Sequence, residues 1–294
     1  MPTAGIVTVV GKPNAGKSTL LNRIIGEKLS IVSPKPQSTR DRIVGIHTTD
    51  DMQMILLDTP GLLNPKYPLQ HAMRGTALAA LNEADVVLYL VDGMEGPPAP
   101  LSQVAQLDRD LRAPVITTIN KIDRLSDGNR QDLVERFPEG LFISAATGEG
   151  IDTMLERVGT LLPQSPFLYP EDEISTQTIR FFVSELVRET ALEQLDDEVP
   201  YSVACEIEEF RESQSPVYIR AVLHVERESQ KQILIGAGGQ RVRSIGSTAR
   251  EKIEVLVGSK VYLDLWVKVL PNWRRNPHSL HRFGYQLPPR EGRS

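Results

Sequence analysis

A single cysteine, Cys205, stands among the 294 residues, so no disulfide can close within the chain and a reducing compartment suits it. Its lone thiol reads as a small core residue. Long hydrophobic runs are missing as well: nowhere do about 18 apolar residues follow one another, the length needed to cross a bilayer as a helix, which excludes an integral helical membrane protein. The start, Met1-Pro-Thr-Ala-Gly-Ile-Val-Thr-Val-Val10, lacks the basic flank of a signal peptide and reads as a first strand, so export is not expected and a cytoplasmic protein is. There is no internal repeat and no low-complexity tract, which excludes a solenoid. Nor is the chain basic, its formal net charge being -5. That average hides an uneven distribution: acids dominate from Glu171 to Glu212, whereas from Lys260 to the end seven Lys and Arg face two acids, a tail that reads either as a contact for a polyanion or as an ordered, packed terminus.

What is present is the composition of a globular protein, 40% hydrophobic and 24% charged, with length for about two domains. Up to Leu162, short apolar strands (Ile6 to Val10, Ile55 to Leu57, Val86 to Val91, Val115 to Ile119, Leu141 to Ile143) alternate with amphipathic helical stretches. Such alternation predicts an α/β fold, a doubly wound, mostly parallel sheet with helices on both faces. Arg42 to Thr49 and Gln53 to Asp58 read as a hairpin, which adds one antiparallel edge strand. Three prolines between Pro163 and Pro170 permit neither helix nor central strand. The expected division is therefore a domain over 1–165, a Pro-rich linker over 166–175, a second domain over 176–270 and a basic tail over 271–294. In the second domain a helix (Thr176 to Leu195) precedes two strands (Tyr201 to Phe210, Val217 to Val225), a short helix (Ser229 to Ile235), a longer one (Gln240 to Val257) and a strand (Lys260 to Val269). That order, α-β-β-α-α-β, predicts a smaller α+β unit.

Gly11-Lys-Pro-Asn-Ala-Gly-Lys-Ser18 fits G-x-x-x-x-G-K-[ST] and lies between a predicted strand and a predicted helix. In that setting the backbone N–H groups of Asn14, Ala15, Gly16 and Thr19 can face phosphates, and the helix N-terminus adds positive potential. Lys17 is then a point charge for the β- and γ-phosphates and Ser18 a Mg²⁺ ligand. Asp58-Thr59-Pro60-Gly61 ends another strand, where Asp58 can hold the hydrated Mg²⁺ and the Gly61 N–H can sense the γ-phosphate. Asn120-Lys121-Ile122-Asp123 ends a third. Guanine offers two adjacent donors, N1–H and N2–H₂, to which the Asp123 carboxylate can bond with both oxygens; adenine offers no such pair and would leave a desolvated anion. Asn120 would tie the loops together or contact the base, and the Lys121 stem can cover the ring. Ser144-Ala145-Ala146 follows the next strand, where a backbone N–H can donate to guanine O6. All four segments fall at carboxyl ends of predicted strands, the edge at which an open α/β sheet binds ligands.

This set resembles the small GTP-binding proteins of the translation-factor-related class over the whole first domain. The resemblance implies GTP and GDP as ligands and a switch loop around Ser33-Pro-Lys-Pro-Gln-Ser-Thr-Arg-Asp-Arg42, with Thr39, or failing it Ser38, reaching Mg²⁺ and the γ-phosphate. Lys17, Thr39 and Gly61 are thus the residues expected to act in hydrolysis. A second loop is expected from Leu62 to Leu69. Leu62 departs from the Ras-like pattern, which has a water-orienting Gln there. Bacterial GTPases with a hydrophobic residue at this point recruit K⁺, and by that resemblance Asn14 is the expected K⁺ ligand.

A second glycine loop, Ile235-Gly236-Ala237-Gly238-Gly239-Gln240-Arg241-Val242-Arg243, has no role in nucleotide binding. With the α-β-β-α-α-β order it resembles the G-x-x-G loop of a type II KH domain, which implies a clamp for about four unpaired nucleotides. Glycines let phosphates approach the main chain, Ile233, Ile235 and Val242 line a groove for bases, and Arg241 and Arg243 are the expected phosphate contacts. From Gly5 to Val269 the chain resembles the Era family of bacterial ribosome-assembly GTPases, including Gln37-Ser-Thr-Arg40, Asp58-Thr-Pro-Gly-Leu62 and Ile235-Gly-Ala-Gly-Gly-Gln-Arg-Val242. The resemblance implies a GTP-hydrolysing switch that binds single-stranded RNA near the 3′ end of the small-subunit ribosomal RNA and assists maturation of the small ribosomal subunit. The rival is an RNA-binding assembly chaperone for which GTP is a weakly hydrolysed ligand. Peripheral contact with the inner face of the cell membrane also comes with the resemblance, although no basic amphipathic helix calls for it. Ala237 stands where family members commonly carry Lys, one phosphate-directed charge fewer.

Overall fold

Strand β1 (Thr3–Val10) lies in the middle of a sheet and is buried along most of its length, as its Ile, Val and Thr content suits. The computed structural model that shows this describes residues 1–288 and contains two compact units, Met1–Pro65 with Ala72–Thr176, and Lys66–His71 with Gln177 onward. In the first, β1 is followed by α1 (Lys17–Ile25), β2 (Ile43–Thr48), β3 (Met52–Asp58), α2 (Pro68–Glu83), β4 (Val86–Asp92), α3 (Leu101–Ala105), β5 (Val115–Asn120), α4 (Asp127–Arg136), β6 (Leu141–Phe142) and α5 (Ile151–Gly159). The strand order is β2-β3-β1-β4-β5-β6, with β2 antiparallel to β3 and the other pairings parallel. This is the expected P-loop architecture with its single antiparallel edge strand. Because the five parallel strands run one way, the loops after β1, β3, β5 and β6 collect along one edge.

Local chemistry sets the elements. On α1, Leu20, Leu21 and Ile24 are buried on one face, and the helix stops at Gly26, whose left-handed φ of 79° lets its N–H donate back to the Asn22 carbonyl. Gln53, wholly buried, accepts from the N–H groups of Leu168 and Tyr169 and donates to the Tyr169 carbonyl. Ser175 Oγ donates to the Val44 carbonyl. The proline-rich stretch expected as a linker therefore lies strapped along the first sheet. The expected second loop is shorter than the sequence reading, because α2 begins at Pro68, a residue preset for the first turn of a helix.

The second unit contains α6 (Ile179–Gln194), α7 (Val199–Ser202), β7 (Ala204–Arg211), β8 (Val217–Val225), α8 (Glu228–Ile235), α9 (Gln240–Val257), β9 (Val261–Val269) and α10 (Pro277–Arg282). Strand β8 is central, antiparallel to β7 and parallel to β9. Its core joins Val183, Val187 and Ala191 of α6 to Ile219 and Leu223 of β8 and to Ile245 and Ile253 of α9. The Thr178 hydroxyl caps α6 by accepting from the Phe181 N–H. One expectation is corrected here. Tyr201 and Ser202, expected at the start of a strand, complete a helical turn that opens with Val199 and Pro200. In the basic stretch, as far as Pro288, Lys268 pairs with Glu208, Arg274 with Glu226 and Arg282 with Glu206, while Trp273 is fully buried and donates to the Ser202 carbonyl at 2.7 Å. Arg290 and Arg293 lie outside the described residues. No helix among the described residues is long and apolar enough to cross a membrane.

Candidate functional site

The loop between β1 and α1 closes around Lys17. The residue is 6% exposed, and its ammonium donates to the carbonyls of Lys12 at 3.0 Å and Gly11 at 3.4 Å. Burial pulls the lysine pKa down from 10.5 to about 8, against the opposing pull of Asp58. The Asp58 carboxyl at the end of β3 is wholly buried, and burial pushes its pKa above the usual range while the Lys17 charge opposes that rise. Ser18 Oγ donates to Asp58 Oδ2 at 2.8 Å and lies 2.8 Å from the Thr39 hydroxyl. Three segments far apart in the chain thus place Ser18, Thr39 and Asp58 together, and of the two candidates in the switch loop Thr39 is the one adjoining Ser18. Asp58 Oδ1 is buried with no hydrogen-bond partner. An orphaned carboxylate oxygen beside two hydroxyls is a donor set for a hard divalent cation such as Mg²⁺, so the residues fit that ion.

Gly16 has to be glycine. Its φ is +100°, and a Cβ there would sit 2.2 Å from Asn120 Nδ2. That close approach is used: Asn120 Nδ2 donates to the Ala15 carbonyl at 2.8 Å, and Asn120 Oδ1 accepts from the Ala145 N–H at 2.9 Å. Of the two roles open to Asn120, the geometry displays the structural one, a tie between the loops after β1 and β6. Thr59, also buried, donates to the Val9 carbonyl, and Pro60 and Gly61 are buried beside Pro13. Asn14, at φ +63°, donates its amide to the Pro34 carbonyl at 3.0 Å, which leaves its side-chain oxygen as the atom able to take a cation. A cavity of about 370 Å³ is lined by Asn14, Lys17, Ser18, Thr39, Gly61 and Lys121. Leu62 is 4% exposed and packs with Val10, Ala77 and Leu81, so its side chain points into the core and away from any attacking water.

Two placements differ from the sequence reading. Asp123 is exposed, not a buried anion, so a bound base must itself supply the desolvation that gives the carboxylate its selectivity. Sequence reasoning also missed Asp92, whose Oδ2 holds the Lys121 ammonium at 2.6 Å while its Oδ1 accepts from the Met94 N–H at 3.0 Å. The only signal for it was an acid closing β4.

In the second unit the loop from Gly236 to Gly239 joins α8 to α9, with Ala237, Gly238 and Gln240 exposed. Gly238 has a left-handed φ of +56° and open space around it. Ile233 is 43% exposed, while Ile235, Val242 and Arg241 are half-buried along the same rim. Arg243 is exposed; its Nε donates to the Gly239 carbonyl at 3.1 Å and a terminal nitrogen donates to the Gly238 carbonyl, which leaves its other N–H groups able to face a phosphate. Those two bonds brace the loop.

A phosphate loop in a parallel sheet, followed by a three-stranded unit with an exposed G-x-x-G turn, defines a P-loop GTPase carrying a KH domain. Family models agree: residues 6–121 match the 50S ribosome-binding GTPase model and residues 198–274 the KH domain model. GTPase Era of Azotobacter vinelandii is 44% identical and GTPase Era of Alkaliphilus metalliredigens 42% identical, each alignment covering 96% of this chain and 96% and 99% of the relative. Two solved structures are 39% identical to this chain. One, of Era with MgGDPNP and nucleotides 1506–1542 of 16S ribosomal RNA, superposes with a TM-score of 0.90 over 98% of this chain and all of the other. The second, an Aquifex aeolicus Era variant bound to GDP and AlF4-, gives 0.89 over 97% of this chain and all of the other. The chain belongs to the Era family, and its enzymatic activity is hydrolysis of GTP.

Proposed function

We propose that this chain is a switch that binds GTP and GDP with Mg²⁺ in its first unit, grips the 3′ region of small-subunit ribosomal RNA with its second, and assists assembly of the small ribosomal subunit. The observation that carries the reading is the likeness, through both units, to an Era structure solved with MgGDPNP and a 16S ribosomal RNA segment. In this reading the loop from Gly11 to Thr19 cradles the phosphates, Ser18, Thr39 and Asp58 hold the cation, and Lys17, Thr39 and Gly61 act at the γ-phosphate. The bound Mg²⁺ would supply charge neutralisation at the phosphate oxygens. Asn120, Lys121, Asp123 and Ser144 to Ala146 form the guanine site. Ile235 to Arg241 and Arg243 meet RNA, and Arg243 also holds the loop in shape for it.

The RNA half is tested by Gly238→Asp. A carboxylate fits the open space, and Asp tolerates a left-handed backbone better than most residues, so the fold is expected to survive. Facing RNA phosphates, it should weaken binding of a single-stranded oligonucleotide from the 16S 3′ end by about tenfold or more, with GTP affinity unchanged. Loss of GTP affinity, or unaltered RNA binding, would contradict the division of labour.

Hydrolysis needs a partner for the attacking water, because Leu62 is buried in the core. We assign a K⁺ ion to the side-chain oxygen of Asn14. Turnover in potassium buffer should then exceed turnover in sodium buffer several-fold, and Asn14→Ala should erase the difference. Equal rates in the two salts with wild-type protein would remove the assignment.

A further inference from the structure

Arg23 stands on the second turn of α1, away from the phosphate loop, and no motif includes it. Its guanidinium nevertheless reaches across 122 residues of chain: Nε donates to the Ala145 carbonyl at 3.3 Å and a terminal nitrogen to the Ala146 carbonyl. The loop after β6 is already closed at its base, where the Ser144 N–H donates to the Glu149 carbonyl and the Gly148 N–H to the Ser144 carbonyl. Its tip is another matter. The Ala145 N–H is taken by Asn120 and the Thr147 N–H by the Ser144 hydroxyl, which leaves the Ala146 N–H as the tip donor with no partner among the described residues. A peptide group is planar, and the one joining Ala145 to Ala146 is trans. Whatever fixes the Ala145 oxygen on one side of that plane aims the Ala146 N–H in the opposite direction.

We infer that Arg23 is a positioning residue for purine recognition: by holding the carbonyls of Ala145 and Ala146 it points the Ala146 N–H at the 6-oxo group of guanine. The inference rests on the guanine site proposed above. Asp123 reads the N1 and N2 donors and this N–H reads the adjacent acceptor at position 6, so the donors and the acceptor of that edge are checked by separate groups. Arg23 touches no part of the ligand. It acts through one peptide plane.

The test compares GTP with 6-thio-GTP, which keeps both donors facing Asp123 and replaces the oxygen by a poorer acceptor, in titrations of wild type, Arg23→Ala and Arg23→Lys. Arg23 is exposed, so the variants should fold. Loss of one well-aimed hydrogen bond corresponds to about a tenfold fall in GTP affinity. With Arg23→Ala that fall should occur for GTP and be much smaller for 6-thio-GTP, so the preference for the oxygen collapses. Arg23→Lys, with one donor for one carbonyl, should recover part of it. An equal loss for both nucleotides, or an intact oxygen preference in Arg23→Ala, overturns the role given to Arg23. If wild type itself binds ATP as well as GTP, the guanine site fails and the inference falls with it, an outcome separable from the first two because it needs no variant.

Discussion

Lys17→Met is expected to reduce GTP affinity by at least about 100-fold while leaving the nucleotide-free protein as stable as wild type or more so. Both halves come from one buried ammonium. Its pKa of about 8, against an ordinary 10.5, means that keeping Lys17 charged at neutral pH costs about 3 kcal/mol relative to water. Met matches the length of the stem and carries no such cost, although it gives up the bonds to the Gly11 and Lys12 carbonyls. With phosphates present the sign reverses, because the desolvated charge meets anions in a site of low dielectric. The protonation argument gives an independent check. Between pH 8 and 10.5 the unfolded chain binds more protons at this lysine than the folded one, so the contribution of Lys17 to wild-type stability rises with pH across that window. Lys17→Met should lack that increment. GTP binding moves the other way: phosphates favour the protonated lysine, so the logarithm of the association constant should fall by up to about one per pH unit above pH 8. Calorimetric melting and nucleotide titration at several pH values measure all of this. A variant that melts well below wild type, or one that binds GTP normally, would refute the account.

The sheet was legible because its strands are short apolar runs set off by turns, and Val86-Val-Leu-Tyr-Leu-Val91 is buried on both faces in the structure as such a run requires. The phosphate loop and the residues around it were legible for a different reason: each chemical demand falls on a contiguous motif at a strand end. What stayed hidden were side-chain contacts that no local pattern encodes. Arg23 and Ala145 are 122 residues apart, and Asp92 and Lys121 are 29 apart. Counting charges in the tail says nothing of pairing, and Arg274 and Arg282 each meet a glutamate contributed by a neighbouring strand or its end. At Pro200 and Pro68 the alternation of apolar residues was a weaker signal than a ring that fixes φ at a helical value. The reach of Arg243 back to the Gly238 and Gly239 carbonyls, which depends on the left-handed turn that those glycines make, was likewise hidden.

Asp123→Asn should turn the base preference from guanine to xanthine. The carboxylate offers two acceptors to guanine N1–H and N2–H₂; an asparagine offers one acceptor for N1–H and one amide donor, and that donor collides with the 2-amino group of guanine. Xanthine has an oxo group at position 2, so the same amide finds a partner. Because Asp123 is exposed in the free protein, the exchange removes no buried charge and should leave the melting temperature within a degree or two. The penalty arises only when the base covers the site, so it should register in binding and not in folding. A site that loses intended hydrogen bonds in this way rejects its former ligand by roughly 10³- to 10⁴-fold, and GTP affinity should fall by that order while XTP affinity rises. Asn120→Ala makes the contrast. Asn120 is buried and ties the Ala15 carbonyl to the Ala145 N–H, so its loss should lower affinity for both nucleotides together and depress the melting temperature. Competition titrations of GTP against XTP separate the two variants. If Asp123→Asn keeps its preference for GTP, the carboxylate is not what reads the base.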